Sequence, residues 1–489
     1  METFQTIEIN NEITEKDRST SSLVLFLRQM FACSSILFNF LIYGLYMGAP
    51  AVIIPQMRKE AGSDNIITSE MVSWLASASS FSSLPWTIIL PLVAHRYGRR
   101  VCLRLLAINT FIGNIFFYRS TTYIGLLISQ IIQGMVISSA YTIAVMIMTE
   151  YVSPQYRGMI LTIKSATFLW GIWISNTLGT FLPWRSIGIL IFVCCFFNLS
   201  ILFCPESPYW LAMKGRFEES AKTHRWIKGT SPDSEKELRT LILTQEKYLY
   251  KKSTKSKTSK NILIKMYKVV TGKNFYRPLF NIMLLICLFH FSGKLACAVY
   301  AIDIIKKMTL SEKTAYEGML IMDGITVFCA YVGCFLTRVL KRRTQLISFS
   351  IIGISFLFIL SAYLYSIKLN IITENKFISL AFLIGFSINL SCGPMIIATC
   401  CLNELTPLKH RTPFLIIFGI LGISVLGFVI KISPFIFRSF DCHGAFSFYA
   451  ITASIFLTGI YKYLPETKNR TILEIECLIA KGNSNIEDN

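Results

Sequence analysis

Charge is sparse in this chain. Only 16% of its 489 residues are charged, and Gln29–Ile54, Tyr123–Met148 and Ile187–Cys204 hold no charge at all. A water-facing surface does not tolerate such runs, which excludes the two or three soluble domains that this length would otherwise suggest. The catalytic signatures are missing too: there is no Gly-rich phosphate loop, no GxSxG and no HExxH. Five histidines are scattered, none beside a candidate nucleophile, so the chain is not read as an enzyme. The cysteines form no CxxC pair and no His/Cys ligand cluster; buried free thiols are expected, with no disulfide framework, metal or cofactor. The apolar runs do not alternate with polar residues, which argues against a β-barrel. Met1–Asp17 is polar and acidic, with no apolar core, and is not read as a secretory signal.

What is present is a series of apolar runs long enough to cross about 30 Å of hydrocarbon as helices. Helices satisfy their own backbone hydrogen bonds in lipid, so they are the default element here. Twelve runs are expected to span: 29–54, 72–94, 102–118, 122–148, 158–182 and 186–204, then 279–302, 318–337, 344–366, 377–402, 412–436 and 443–464. The fold class read from them is an all-α integral membrane protein, twelve transmembrane helices in two six-helix bundles. The expected parts are a tail 1–28, a first bundle 29–204, a connector 205–278, a second bundle 279–464 and a tail 465–489.

The net charge of +20 does not point to nucleic acid, because roughly half of the excess sits in one connector, Lys214–Arg277. Basic connectors remain in the cytoplasm, so the connector and both termini are expected there. Within the connector, Phe217–Gly229 and Ser234–Lys252 read as helices, with acids first and lysines last along the pair. The partner that the apolar runs imply is a lipid bilayer.

Three charged phrases occur twice, about half a chain apart. TEYVSPQYRG places Glu150 seven residues before Arg157, and NELTPLKHRT places Glu404 seven before Arg411, 254 residues later. HRYGRR (His95–Arg100) is echoed by TRVLKRR (Thr337–Arg343), and PESPYW (Pro205–Trp210) by LPETKNR (Leu464–Arg470). A six-helix unit duplicated in parallel explains the recurrence. In the first half Glu150, Arg157 and Glu206 would join Arg96 and Arg100 in a network at the cytoplasmic helix ends. Glu404, Arg411 and Glu466 would form its twin with Arg338 and Arg342. Reversible charge pairs at that level suit a gate that holds two rocking bundles closed.

These phrases, in this order, resemble the major facilitator superfamily, and PESPYW and PETK resemble its sugar porter branch. Ser73–Trp74 and Phe291–Gly293 followed by Tyr300 resemble the same branch, and GLYMGAP with IIPQM in the first span resembles its facilitated trehalose transporter-like members. The likeness covers about 430 residues, Met30 to Lys468. It implies facilitated transport of a sugar by alternating access in the plasma membrane, with the site between the bundles.

Several positions depart from that pattern. His95 and Thr337 stand where the family carries an acid, so a weaker cytoplasmic latch is expected. The span 7 phrase reads FHFSGKL, which puts Phe289, His290 and Leu295 where the resemblance implies sugar-binding amides. Ser165, Asn176, Ser292, Tyr300 and Asn389 remain as polar candidates. Lys294 and Asp323 are new charges inside spans 7 and 8, and such groups are functional candidates by default. They form either a pair that offsets its own burial cost or a site for solute. Lys164 is expected to reach toward the cytoplasmic end, and Lys431 shows no partner in the sequence. With no acid in the first span, facilitated diffusion is favoured. The alternatives are a carrier of a different, charged solute, recognised by Lys294, Asp323 or His290, and a sensor of the same fold that carries nothing.

Overall fold

The computed structural model describes residues 22–60, 68–254, 269–407, 411–468 and 478; every regular element among them is helical. Eleven helical segments are long and apolar enough to cross a membrane. The helices α1 (Ser22–Glu60), α2 (Ser69–Tyr97), α3 (Arg99–Arg119), α4 (Tyr123–Tyr141), α5 (Ile143–Tyr151), α6 (Pro154–Phe181) and α7 (Arg185–Asn198) make up the first half. The expected run 158–182 folds as α6, but Lys164, Ser175 and Asn176 interrupt its apolar stretch, and it is not among the eleven.

The connector folds into α8 (Pro208–Met213), α9 (Phe217–Lys228) and α10 (Pro232–Thr254), close to the two helices read from sequence. Arg28 Nη1 donates to the Trp226 carbonyl at 3.2 Å and Gln29 Nε2 to the Ile227 carbonyl at 3.4 Å, which fastens α9 to the start of α1. The acidic stretch Met1–Asp17, the lysines at 255–260 and Asn469 lie outside the described residues.

The second half comprises α11 (Lys273–Phe291), α12 (Lys294–Val299), α13 (Ala301–Thr309), α14 (Glu312–Val339), α15 (Arg342–Lys368), α16 (Lys376–Leu390), α17 (Ile396–Leu405), α18 (Arg411–Ser439) and α19 (Asp441–Tyr463). Thr68, Thr122, Ser311 and Asn375 accept a backbone N–H with their side chains at the starts of α2, α4, α14 and α16, the usual work of helix-capping oxygens.

Within each half the helices pack side by side, α1 against α6 and α2 against α4 in the first, α15 against α19 and α16 in the second. The α1–α6 contact depends on small residues. A Cβ on Gly44 would lie 2.9 Å from the Gly171 Cα, so the two backbones touch where lipid-embedded helices need small side chains to approach. The halves meet along α2 against α18 and α6 against α14, while the short α12 and α13 reach α1.

Two expected spans are broken. The run 279–302 divides into α11, α12 and α13, because Gly293 turns at φ +78°. Only glycine takes that conformation at no cost, and a Cβ there would lie 2.7 Å from the Tyr449 ring. The run 377–402 is interrupted by a π turn, Ser391–Met395, which contains Gly393 and Pro394.

Candidate substrate site and the charged helix ends

Both breaks fall about halfway along their helices, and the π turn packs against α11, α14, α15 and α16. Freed backbone at such a depth is tolerated only where protein or a cavity surrounds it, which makes this level the natural place for a site. Lys294, the residue after Gly293, is only 6% exposed. Its Nζ donates to Thr326 Oγ1 at 2.9 Å and to Ser387 Oγ, and those two hydroxyls lie 3.0 Å apart. Asp323, one turn before Thr326 on α14, is 5% exposed and accepts from Asn176 Nδ2 at 2.6 Å. That bond runs from the first half to the second.

Of the two readings of Lys294 and Asp323, a pair or a site for solute, the direct pair does not form among the described residues. Each charge is held by neutral groups, and no ion pair joins the two among the described residues. Thr326 and Ser387 complete the cluster and were not legible as site residues, since a lone hydroxyl in an apolar run carries no distinguishing signal. His290 is buried, and neither ring nitrogen has a hydrogen-bond partner among the described residues. Ser292 lies at the helix break, donating to the Phe289 carbonyl at 2.7 Å and accepting from the Lys294 N–H at 3.4 Å.

Three further candidates stand apart. Ser165 and Asn389 donate to carbonyls of their own helices, Leu161 and Gly385. Tyr300 donates to the Ile430 carbonyl at 3.1 Å and lines a different cavity, at the helix ends opposite the connector. Lys164 does not reach for water: it is 6% exposed and stacks over the Phe40 ring at 4.9 Å. Lys431 does have partners across the interface between halves, Ser73 Oγ at 2.9 Å and the Trp74 ring at 3.7 Å. On the inner face of the first half Tyr43, Tyr46, Gln130 and Gln133 enclose only about 10 Å³, room for a single water.

At the connector end, the two charged networks form, with altered membership. In the first, Arg99 and not Arg96 or Arg100 binds Glu150, through Nε at 2.8 Å and Nη2 at 2.6 Å. Both side chains are buried, at 2% and 8% exposure. Glu206 accepts from the N–H groups of Arg99, Arg100 and Ser207, and the Ser207 hydroxyl donates to Glu150 at 2.6 Å. Burial pushes the Glu206 carboxyl up from its ordinary range, and those backbone donors oppose the shift. Arg96 is exposed over Tyr97, while the Arg100 side chain donates to the Leu202 carbonyl.

The second network repeats the design. Arg342 pairs with Glu404, and Glu466 accepts from the N–H groups of Arg342, Arg343, Thr467 and Lys468. Arg338 is exposed and contributes its carbonyl to Lys468. Arg342 thus answers Arg99, one residue off the sequence match, because Leu340 and Lys341 link α14 to α15 where Gly98 alone links α2 to α3. Each network closes within its own half. Arg411 crosses, donating to the Val145 carbonyl at 3.2 Å. Arg157 belongs to α6, and its side chain lies outside what is described.

A family model described as "Sugar (and other) transporter" matches residues 28–478. The facilitated trehalose transporter Tret1 of Apis mellifera ligustica is 24% identical over 88% of this chain and 83% of its own length. The protein of the same name from Bombyx mori is 24% identical over 98% and 92%, and the galactose-proton symporter of Escherichia coli (strain K12) 23% over 96% and 97%. Among solved structures, the major facilitator superfamily proton:xylose symporter XylE superposes with a TM-score of 0.74 at 16% identity, over 94% of this chain and 99% of that one. With a match that spans most of its length and a helical fold shared with a solved sugar porter, this chain belongs to the sugar (and other) transporter family.

Proposed function

We propose that this chain is a facilitated carrier that moves a sugar, trehalose or a monosaccharide, by alternating access between two six-helix bundles. The observation that carries the reading is the polar cluster at the two helix breaks, Lys294 with Thr326 and Ser387, beside the Asn176–Asp323 bond that joins the halves. Charge-assisted hydrogen bonds to hydroxyls are stronger than those between neutral groups, so a lysine and a carboxylate replace the missing amides chemically. A solute that takes the Asp323 carboxylate from Asn176 loosens a contact between halves, which links binding to rocking. His290, Ser292 and the reserve acceptor of Asn176 complete the lining.

In this reading α6 is a twelfth crossing helix. The bundles are 29–204 and 279–464, both tails and the connector 205–278 face the cytoplasm, and a monomer works as a uniporter in the plasma membrane. The charged clusters at the connector end brace each bundle from within, and Arg411 reaches across.

Uptake of radiolabelled trehalose and glucose into proteoliposomes tests this directly. Saturable uptake that Asp323→Asn and Asn176→Ala both reduce at least tenfold is the expected result. Absence of uptake of either sugar by correctly inserted protein would sink the sugar reading. The second reading, a charged solute, then gains from the neutral hydrogen-bond partners of Lys294 and Asp323 among the described residues.

A further inference from the structure

At the helix ends opposite the connector, the two halves enclose a cavity of about 200 Å³. By the ~30 Å³ that a liquid water occupies, it holds on the order of six waters, or one ring of monosaccharide size. Its walls come from both halves, Arg58 and Ser69 from the first, Tyr300, Asp303, Lys307 and Arg438 from the second. Three cations thus face one carboxylate. Arg58 gives Nη1 to Asp303 at 3.2 Å, but its Nε is buried without an acceptor among the described residues. Lys307 divides itself between the Phe437 carbonyl at 2.8 Å and Asp441 at 3.4 Å, and Asp441 is shared with Lys368 at 2.9 Å. Phe437 and Pro434 add an apolar wall.

An unsatisfied guanidinium N–H in a site with excess positive charge calls for an acceptor that the described residues do not supply. A neutral sugar needs no such excess. A carboxylate offers two oxygens to the Arg58 fork, with Lys307 and Arg438 as further donors, while Phe437 and Pro434 suit the flat side of a ring. We propose that this vestibule is a capture site for a carboxylate-bearing solute of monosaccharide size, which competes with Asp303 for Arg58. Because Arg58 and Asp303 belong to different halves, capture releases one of the ion pairs that join them at this end; among the described residues Lys59–Glu312, at 2.5 Å, is the other.

The test is titration calorimetry on the purified full-length protein at low salt, with sodium glucuronate, its neutral counterpart glucose, and inorganic phosphate. Glucuronate is expected to bind at least tenfold more tightly than glucose, and to weaken as sodium chloride is added. Arg58→Gln and Lys307→Gln each lower glucuronate affinity about tenfold, the cost of one lost charge-assisted contact. Asp303→Asn, which removes the competitor, raises it by a similar factor. A damaged fold cannot produce that gain, so this variant guards against misfolding. Lys313→Gln, an exposed cation paired with Glu317 outside the cavity, leaves affinity unchanged. Phosphate binding beside glucuronate assigns recognition to the oxyanion itself and supports the site. Equal binding of glucose and glucuronate, or weaker binding by Asp303→Asn, overturns it. The measurement needs no transport, so its failure leaves the carrier reading standing.

Discussion

The two charged helix ends are the same construction at two depths. Arg99–Glu150 is almost fully buried, whereas Arg342 and Glu404 are 21% and 25% exposed. In the first half the Ser207 hydroxyl reaches Glu150, while in the second Thr467 accepts from Arg342 at 3.5 Å. Gly98 accounts for part of the difference. It turns at φ +106°, and a Cβ there would lie 3.0 Å from the Glu206 carboxyl carbon, so the Glu206 carboxylate closes directly over the turn. Lys341, at the matching place, has an ordinary φ of −66° and keeps the second linker a residue longer. Identical charges therefore differ in energetic weight, because low local dielectric strengthens a pair and also penalises a partner left alone.

Removing the carboxylate on the buried side breaks the comparison most sharply. Glu150→Ala leaves the Arg99 guanidinium buried with the Ala94 carbonyl, at 2.9 Å, as its remaining acceptor. A loss of about 3–5 kcal/mol is expected, the usual cost of an orphaned buried charge. A large drop in the melting temperature of the detergent-solubilised protein would register it, and replacing Arg99 and Glu150 together with methionine should restore most of the drop. If the single and double replacements fall equally, burial is not what gives this pair its weight.

Acid separates the halves next, because the connector helices brace the start of α1. His224 on α9 is 2% exposed, and burial, with Lys228 beside it, lowers its pKa to about 4. Its folded value thus lies below the unfolded one of about 6.5. The unfolded connector binds the extra proton, so this stability is complete above about pH 6.5 and is lost as pH falls toward 4. At pH 5.5 the loss is about 1 kcal/mol, and protease cleavage of the connector should quicken accordingly. His224→Gln should flatten that pH dependence between 7 and 5; an unchanged profile would assign it to other groups.

The smallest effect is expected on the exposed side. Glu404→Ala should cost no more than about 1 kcal/mol, because Arg342 retains water and the Thr467 hydroxyl. A melting-temperature loss as large as that of Glu150→Ala would remove the asymmetry altogether.

The spans were legible because crossing hydrocarbon imposes a length and forbids charge, and both constraints are written locally in the chain. The duplicated phrases were legible for a similar reason: Glu150 with Glu404 and Glu206 with Glu466 keep their heights on the helices. Which arginine turns inward was not. RYGRR offers three, and the backbone turn at Gly98 selects Arg99. Whatever His95 and Thr337 take from the latch, the acids that close each network are Glu150, Glu206, Glu404 and Glu466. The hydrogen-bond partners of Lys294 were not legible either. Asp323 is on the right helix, but Asn176 from the other half satisfies it, while hydroxyls from two helices satisfy the lysine.

How many apolar runs there are, how long each is, and at what height each charge sits along its helix can all be read from the chain itself. Those properties depend on rise per residue and on the cost of exposing polar groups to lipid, which involve a few neighbours only. The tertiary structure alone decided who meets whom: Arg99 with Glu150, Asp323 with Asn176, Arg58 with Asp303. Partners 50 to 250 residues apart depend on the rotation of each helix and on close contacts such as Gly44 with Gly171. Those rotations follow from packing the whole bundle.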